Sequence, residues 1–202
     1  QHMNALHIIT DYLYLKENPN APFTPKTYVF GAKAASGYLF AKEIIQMIYK
    51  LSQVINNDRA VNDKMRVLFV EDYRVTLAEL MIPAAEISEQ ISLASTEASG
   101  TSNMKFMMNG AITLGTEDGA NVEIHSAVGD DNILIFGMQT PEVLKMQKTG
   151  YSPISYYNNN SDLRKALDFI GRGIDGQQFD NIYNTLKNVD RYMALADYAD
   201  YC

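Results

Sequence analysis

The feature that most limits the fold of this chain is an alternation of short apolar runs with longer amphipathic ones. Thr27-Tyr28-Val29-Phe30 is rich in β-branched and aromatic residues, Gly31 follows, a helical run occupies residues 37–55, and residues 66–70 return to the first pattern. That order reads as a β-α-β unit, whose crossover is long enough to pair its strands in parallel. A second cycle follows: a short helix over 76–81 stopped by Pro83, an extended stretch over 87–93, a helix over 102–109, and strands over 111–115 and 133–136. The pattern predicts an α/β, Rossmann-like, open and mostly parallel sheet with helices on both faces. After Gly137 the character changes. Residues 141–150, 162–170 and 179–196 read as amphipathic helices separated by Asn-rich or Gly-rich loops, giving a helical C-terminal segment.

In such sheets ligands sit beyond the carboxyl ends of the strands. Three stretches would lie there: residues 31–37, residues 71–74, and the run from Glu97 to Thr101 that precedes a helix carrying Lys105. The last is the richest in chemistry. Glu97-Ala98-Ser99-Gly100-Thr101-Ser102-Asn103 mixes Gly with residues that favour turns and helix N-caps, and Met104, Phe106, Met107 and Met108 read as the start of a buried helix. Backbone N–H groups at a helix start lack intrahelical partners and accept a phosphate readily. Thr101 and Lys105 are four apart and share a face, so an amine would stand near an anion held there. A lysine in apolar surroundings loses proton affinity and becomes able to form a Schiff base.

Composition excludes several classes. With 47% hydrophobic residues there is material for a core, and no apolar run approaches the length of a membrane span. No signal peptide is visible, since the apolar stretch 5–10 is short and followed by Asp11. The 17 basic and 24 acidic side chains give a net charge of −7 without basic blocks, which argues against nucleic acid or anionic lipid as partner. The single cysteine, Cys202, leaves no internal disulfide and fits a reducing, cytoplasmic setting. His2 and His125 lack a Cys or His at ligand spacing, so no metal site is expected. His7 reads as a packed or surface histidine on a helix, Asp118-Gly119-Ala120-Asn121 as plain turn chemistry, Glu123 as an ion-pair partner, and Asp130-Asp131 as a solvated loop.

The run from Glu97 to Lys105, continued by Asn109-Gly110-Ala111-Ile112-Thr113-Leu114-Gly115-Thr116-Glu117-Asp118-Gly119-Ala120-Asn121-Val122-Glu123, closely resembles the cofactor segment of the α-glucan phosphorylases, the glycogen, starch and maltodextrin phosphorylases. The resemblance extends to Asn4-Ala5-Leu6-His7-Ile8-Ile9-Thr10, to residues 31–38, 66–75 and 82–92, and to Ala196-Asp197-Tyr198, in the family's order. It therefore covers nearly the whole chain. Members of the family are several times longer, so residues 1–202 resemble one C-terminal, cofactor-binding Rossmann-like domain, one half of a glycosyltransferase B-type fold.

The resemblance implies the rest. Lys105 is similar to the lysine that binds pyridoxal 5'-phosphate as a Schiff base, and Thr101 and Ser102 to the pair whose backbone holds its phosphate. Position 102 is Gly in many relatives, so a conformation needing positive φ would be at issue here. Tyr73 and Arg74 are similar to residues lining the cofactor ring and the neighbouring phosphate region. Glu97, Ser99 and Gly100 are similar to the group that binds the hydroxyls of the glucosyl unit. Tyr38 is similar to an aromatic flanking an inhibitor pocket in some relatives. By residue type alone, Tyr73 also fits a core aromatic, Arg74 a surface ion pair, and Glu97 a solvated or capping carboxylate.

The implied reaction is phosphorolysis of a terminal α-1,4-glucosyl unit of a glucan by inorganic phosphate to glucose 1-phosphate, with the cofactor phosphate as proton relay. Full-length members of this allosteric family imply a homodimer. The family places a basic segment that grips both phosphates immediately before the helix beginning at Gln1. Nothing like it occurs in these residues, so the chain without the missing N-terminal half is expected to be inactive. The other reading of the residues is a non-catalytic Rossmann-like module that binds a phosphorylated small ligand, with Lys105 as a plain electrostatic contact.

Overall fold

The computed structural model describes residues 1–97 and 99–202. Ten α-helices occur among them: α1 His2–Glu17, α2 Leu39–Asn57, α3 Val75–Met81, α4 Ser102–Met108, α5 Asn121–Val128, α6 Thr140–Thr149, α7 Pro153–Asn159, α8 Ser161–Gly171, α9 Asp180–Asn188 and α10 Ala194–Tyr201. The strands are β1 Lys26–Phe30, β2 Met65–Phe69, β3 Ile87–Gln90, β4 Ile112–Gly115 and β5 Leu134–Ile135. The chain divides into two compact units, Gln1–Tyr73 with Pro153–Asp190, and Arg74–Ser152 with Arg191–Cys202.

In the first unit β1 and β2 pair in parallel with Tyr28 opposite Val67 and Phe30 opposite Phe69. Alternation decides what is buried: Tyr28, Phe30, Met65 and Val67 face the core, while Val29 and Leu68 between them are exposed. The crossover helix α2 buries Met47, Ile48, Leu51 and Ile55, one stripe at helical spacing. Its Asn56 side chain clamps β2, donating from Nδ2 to the Val67 carbonyl at 2.8 Å and accepting the Val67 N–H at 3.0 Å. On the other side, Asp11 of α1 accepts from the Tyr28 hydroxyl at 2.7 Å and from Lys26 Nζ at 3.0 Å. Helices α7 to α9 belong to this unit, with Leu163, Ala166, Leu167 and Ile170 of α8 fully buried.

The second unit holds a parallel sheet in the order β3-β4-β5, with Ile87 opposite Ile112, Gln90 opposite Gly115 and Leu114 opposite Leu134. Leu93, Ala94, Val143 and Met193 form one of its apolar clusters, joined by Met138, Met146, Tyr151 and Ala196. Helix α10 is tied to the segment after β5 and to β3: the Gly137 and Met138 N–H groups donate to Asp200 and Asp197 at 2.6 and 2.9 Å, and the Tyr201 hydroxyl donates to Glu89 at 2.7 Å.

The α/β class, the parallel strands with helices on both sides and the helical C-terminal segment all stand. Four details differ from expectation. The strands form two sheets, because an apolar pattern marks a strand without saying which edge it pairs. The run 179–196 is two helices, broken where Asp190 (φ 36°) and Met193 (φ 51°) turn left-handed; Asp tolerates that region, and Met193 is held in it by burial. Helix α7 occupies a stretch that reads as an Asn-rich loop, and α5 begins at Asn121, the last residue of the stretch that reads as a turn. Finally, α4 is not a buried helix. Asn103 is its one buried residue, and Met108 is 86% exposed.

Candidate functional site

Two loops leave the carboxyl ends of adjacent strands in the second unit. One runs from β3 to α4 and carries Glu97, Ser99 and Gly100. The other, Thr116 to Ala120, joins β4 to α5. Between them lies a cleft of about 200 Å³, lined by Gln90, Ser92, Glu97, Ser99, Gly100 and Ser102 among others.

Two buried side chains hold the loops in place. The Asp118 carboxylate accepts from the Ser92 hydroxyl at 2.7 Å and from the N–H groups of Ser95 at 2.9 Å and Glu97 at 2.8 Å. Asn121, at the start of α5, donates to the carbonyls of Gln90 at 3.1 Å and Thr116 at 3.0 Å, while its oxygen accepts from Asn103 Nδ2 at 3.0 Å. Asn103 Oδ1 in turn accepts the Met104 N–H at 2.9 Å, close to the start of α4. Close packing forces small residues here. A Cβ on Gly115 would stand 2.7 Å from both Asn121 Nδ2 and the Gln90 carbonyl oxygen.

The expected residues fall as follows. Glu97, Ser99, Gly100 and Ser102 line the cleft, and Thr101 is the N-cap of α4. Positive φ falls on Gly100 (81°), not on Ser102, so the hydroxyl at 102 is accommodated; it donates to Gln90 Oε1 at 3.1 Å. The N–H groups of Thr101, Ser102 and Asn103 find no acceptor among the described residues. Lys105 is exposed one turn further along α4, without an ion pair or side-chain hydrogen bond among the described residues, and the apolar surroundings expected for its amine are not supplied by this chain. Tyr73 belongs to the first unit, its ring packed on Gly31, where an added Cβ would come within 2.6 Å of it. Arg74 opens the second unit in extended conformation as the N-cap of α3 and is not among the cleft residues. Ala98 of the motif lies outside the described residues.

The remaining polar groups are accounted for locally. His125 sits between Glu117 (3.0 Å from Nδ1) and Asp130 (2.8 Å from Nε2), and these carboxylates, Asp130 foremost, raise its pKa above the ordinary histidine value. His7 is packed edge-on against Tyr28 and near Asp11, with burial lowering its pKa despite that carboxylate. Glu123, expected as an ion-pair partner, is exposed and has none among the described residues. No grouping of three His, Cys, Asp or Glu suited to a metal ion occurs among the described residues. Among the described residues no helix is long and apolar enough to cross a membrane. The sequence pattern gives Asp118 and Asn121 as plain turn chemistry and Asn103 as part of the turn-favouring run, with no role in the site; the available signal for that role was an Asp-Gly turn at the end of a parallel strand followed directly by a helix start.

The second unit is thus a parallel α/β unit whose polar cleft opens at the strand ends, beside a helix start whose first N–H groups and lysine have no partner among the described residues. The family model for carbohydrate phosphorylases matches residues 1–202, and the chain belongs to that family. It is 47% identical over 205 residues to glycogen phosphorylase of Synechocystis sp., 48% to the muscle form of Homo sapiens and 47% to the brain form of Rattus norvegicus. In each case the alignment takes in 100% of this chain and 24% of the relative, so the chain spans about a quarter of the length of these relatives.

Proposed function

We propose that these residues are the C-terminal, cofactor-holding domain of an α-1,4-glucan phosphorylase, which splits terminal glucosyl units from a glucan with inorganic phosphate to give glucose 1-phosphate. The observation that carries this reading is one juxtaposition within a chain of the carbohydrate phosphorylase family. A polar loop bearing Glu97, Ser99 and Gly100 runs straight into a helix start whose N–H groups and, one turn on, whose lysine have no partner among the described residues.

The donor set fits pyridoxal 5'-phosphate. Among the described residues Lys105 has no ion pair and the N–H groups of Thr101 and Ser102 have no acceptor, which leaves the amine to an aldehyde and the N–H groups to a phosphate. By the family resemblance, Tyr73 and Arg74 would line the cofactor ring and the neighbouring phosphate region. When bound, the cofactor supplies a phosphate that exchanges a proton with the substrate phosphate near neutral pH. Glu97, with Ser99 and Gly100, grips the glucosyl hydroxyls and orients the sugar, and the held loop keeps those donors in place before substrate arrives. The grips on the substrate phosphate come from the remainder of the enzyme, so these 202 residues alone give no phosphorolysis. The lone Cys202 supports a cytoplasmic setting.

The test is to treat the full-length enzyme with borohydride and map the modified lysine by mass spectrometry, alongside an assay of glucose 1-phosphate formation from maltodextrin and phosphate. Reduction of the cofactor onto Lys105 in an active enzyme is the expected result. Trapping at Lys33 or Lys42, or phosphate-containing ligands bound with no covalent adduct and no turnover, would overturn the reading in favour of a plain binding module.

A further inference from the structure

The turn between β4 and α5 touches the sugar loop at both ends. Asp118 is 6% exposed, and its two oxygens accept from Ser92, Ser95 and Glu97, with no cation beside it among the described residues. A buried carboxylate compensated only by N–H and O–H dipoles is held there by those donors, and it holds them in turn. Two residues on, the Ala120 N–H donates to the Ser99 carbonyl at 2.7 Å. Gly119 lies between them at φ 54°, and a Cβ on it would stand 2.6 Å from the Ser99 oxygen and 3.1 Å from Glu97 Cγ.

Peptide planarity extends the effect into the cleft. In a trans peptide C=O and N–H point in opposite directions, so fixing the Ser99 carbonyl on Ala120 fixes the direction of the Gly100 N–H as well. That N–H has no acceptor among the described residues, and Gly100 lines the cleft. Likewise, anchoring the Glu97 N–H on Asp118 sets the backbone from which the Glu97 side chain departs.

Resting on the function proposed above, we propose that Asp118, with Gly119 and Ala120, forms a template of positioning residues for sugar recognition. It presses the loop into the shape that aims the Gly100 N–H and the Glu97 carboxylate at hydroxyls of a hexosyl unit; Asp118 also lines the cleft, but its two oxygens are already engaged by Ser92, Ser95 and Glu97. Asparagine cannot replace Asp118. It offers one oxygen and an NH₂ where three donors converge, so at least one bond is lost and a donor faces a donor.

The experiment uses full-length enzyme carrying Asp118→Asn or Gly119→Ala, with glucose 1-phosphate and a series of analogues each lacking one ring hydroxyl. Cofactor content is measured on every variant. The template role requires kcat/KM for glucose 1-phosphate to fall about tenfold to a hundredfold, as for small displacements of positioning groups. Analogues lacking the recognised hydroxyl should fall much less, so that the wild-type discrimination collapses toward unity. General structural damage would lower every substrate by one factor. An equal loss across the series, or no loss, overturns the role of Asp118. Should Asp118→Asn fail to fold, Gly119→Ala decides by the same ratio, since its methyl pushes on the Ser99 carbonyl and the Glu97 side chain while leaving the Asp118 carboxylate its three donors. A wild-type enzyme that turns over no substrate overturns the function reading instead, and the two failures are distinct.

Discussion

Replacing Asn121 by alanine should cost the second unit about 3 kcal/mol. Asn121 is 3% exposed and uses every polar atom of its amide in three hydrogen bonds: to Gln90 O, to Thr116 O and from Asn103 Nδ2. Each such bond is worth about 1 kcal/mol net, and more where its loss leaves a buried partner unpaired. Gln90 O keeps a second donor, the Thr116 N–H at 3.3 Å, so the penalty falls mainly on Thr116 O and Asn103 Nδ2. Asn121→Asp is the sharper variant. It has nearly the same shape, but it removes both donated bonds and sets an anionic oxygen against two carbonyl oxygens, so it should exceed the cost of alanine. Urea unfolding of the 202-residue chain, followed by circular dichroism, measures both. Asn103→Ala in a double-mutant cycle should show a coupling of about 1 kcal/mol with Asn121→Ala. A cost for Asn121→Ala below about 1 kcal/mol, or an aspartate milder than alanine, would refute the view that this amide ties both loops to the sheet.

Other outcomes follow from the same geometry. Lys105→Ala in the full-length enzyme should abolish borohydride-trapped cofactor while changing stability by about 1 kcal/mol or less, because the side chain is exposed and unpaired; Glu123→Gln should leave trapping unchanged. His125 has a folded pKa raised by Asp130 and Glu117. Its contribution is therefore complete below about 6.5, the unfolded value, and is lost as pH rises through the folded pKa. The stability difference between wild type and His125→Gln should shrink over that rise in melting experiments, and a difference that grows with pH would contradict it. Gly31→Ala should cost about 1 to 3 kcal/mol by driving a methyl into the Tyr73 ring. Much of that loss should be absent on a Tyr73→Ala background in denaturant titrations; simple additivity would mean that the two residues do not press on each other.

Elements whose burial repeats at a fixed period were legible from sequence. Residues 27–30 and 66–70 alternate, 37–55 carries one apolar stripe, and all three appear within a few residues of their expected bounds. What failed to show had no such repeat. Helix α7 begins at Pro153, which suits a first helical position, but its Tyr and Asn residues conceal the core-facing side. The split of residues 179–196 depends on two left-handed residues, one of them a methionine, and nothing in a methionine announces that conformation. For the site, Glu97, Ser99, Gly100 and Ser102 were readable as a group, because small polar residues ahead of a helix form a loop with exposed donors. Their coming together with Gln90 and Asp118 depends on β3 and β4 being neighbours in parallel register, which only the paired strands reveal.

A loop that must recognise a sugar cannot be shaped by its own packing. Between Ser95 and Ser102 there is no large apolar side chain to anchor, and residues chosen for small size and free N–H groups leave the backbone many conformations to lose. The ordering has to come from outside, through bonds specific enough to select one shape. A carboxylate accepting three donors and a backbone N–H pinning one carbonyl provide it, and they must sit on something rigid. The β4 to α5 turn qualifies because Gly115 packs directly on Asn121 and Gln90, leaving the turn no room to shift. On the function proposed above, the residues that bind and the residues that give them their geometry divide between two loops, and the second set resembles ordinary turn chemistry because turn chemistry is what it uses.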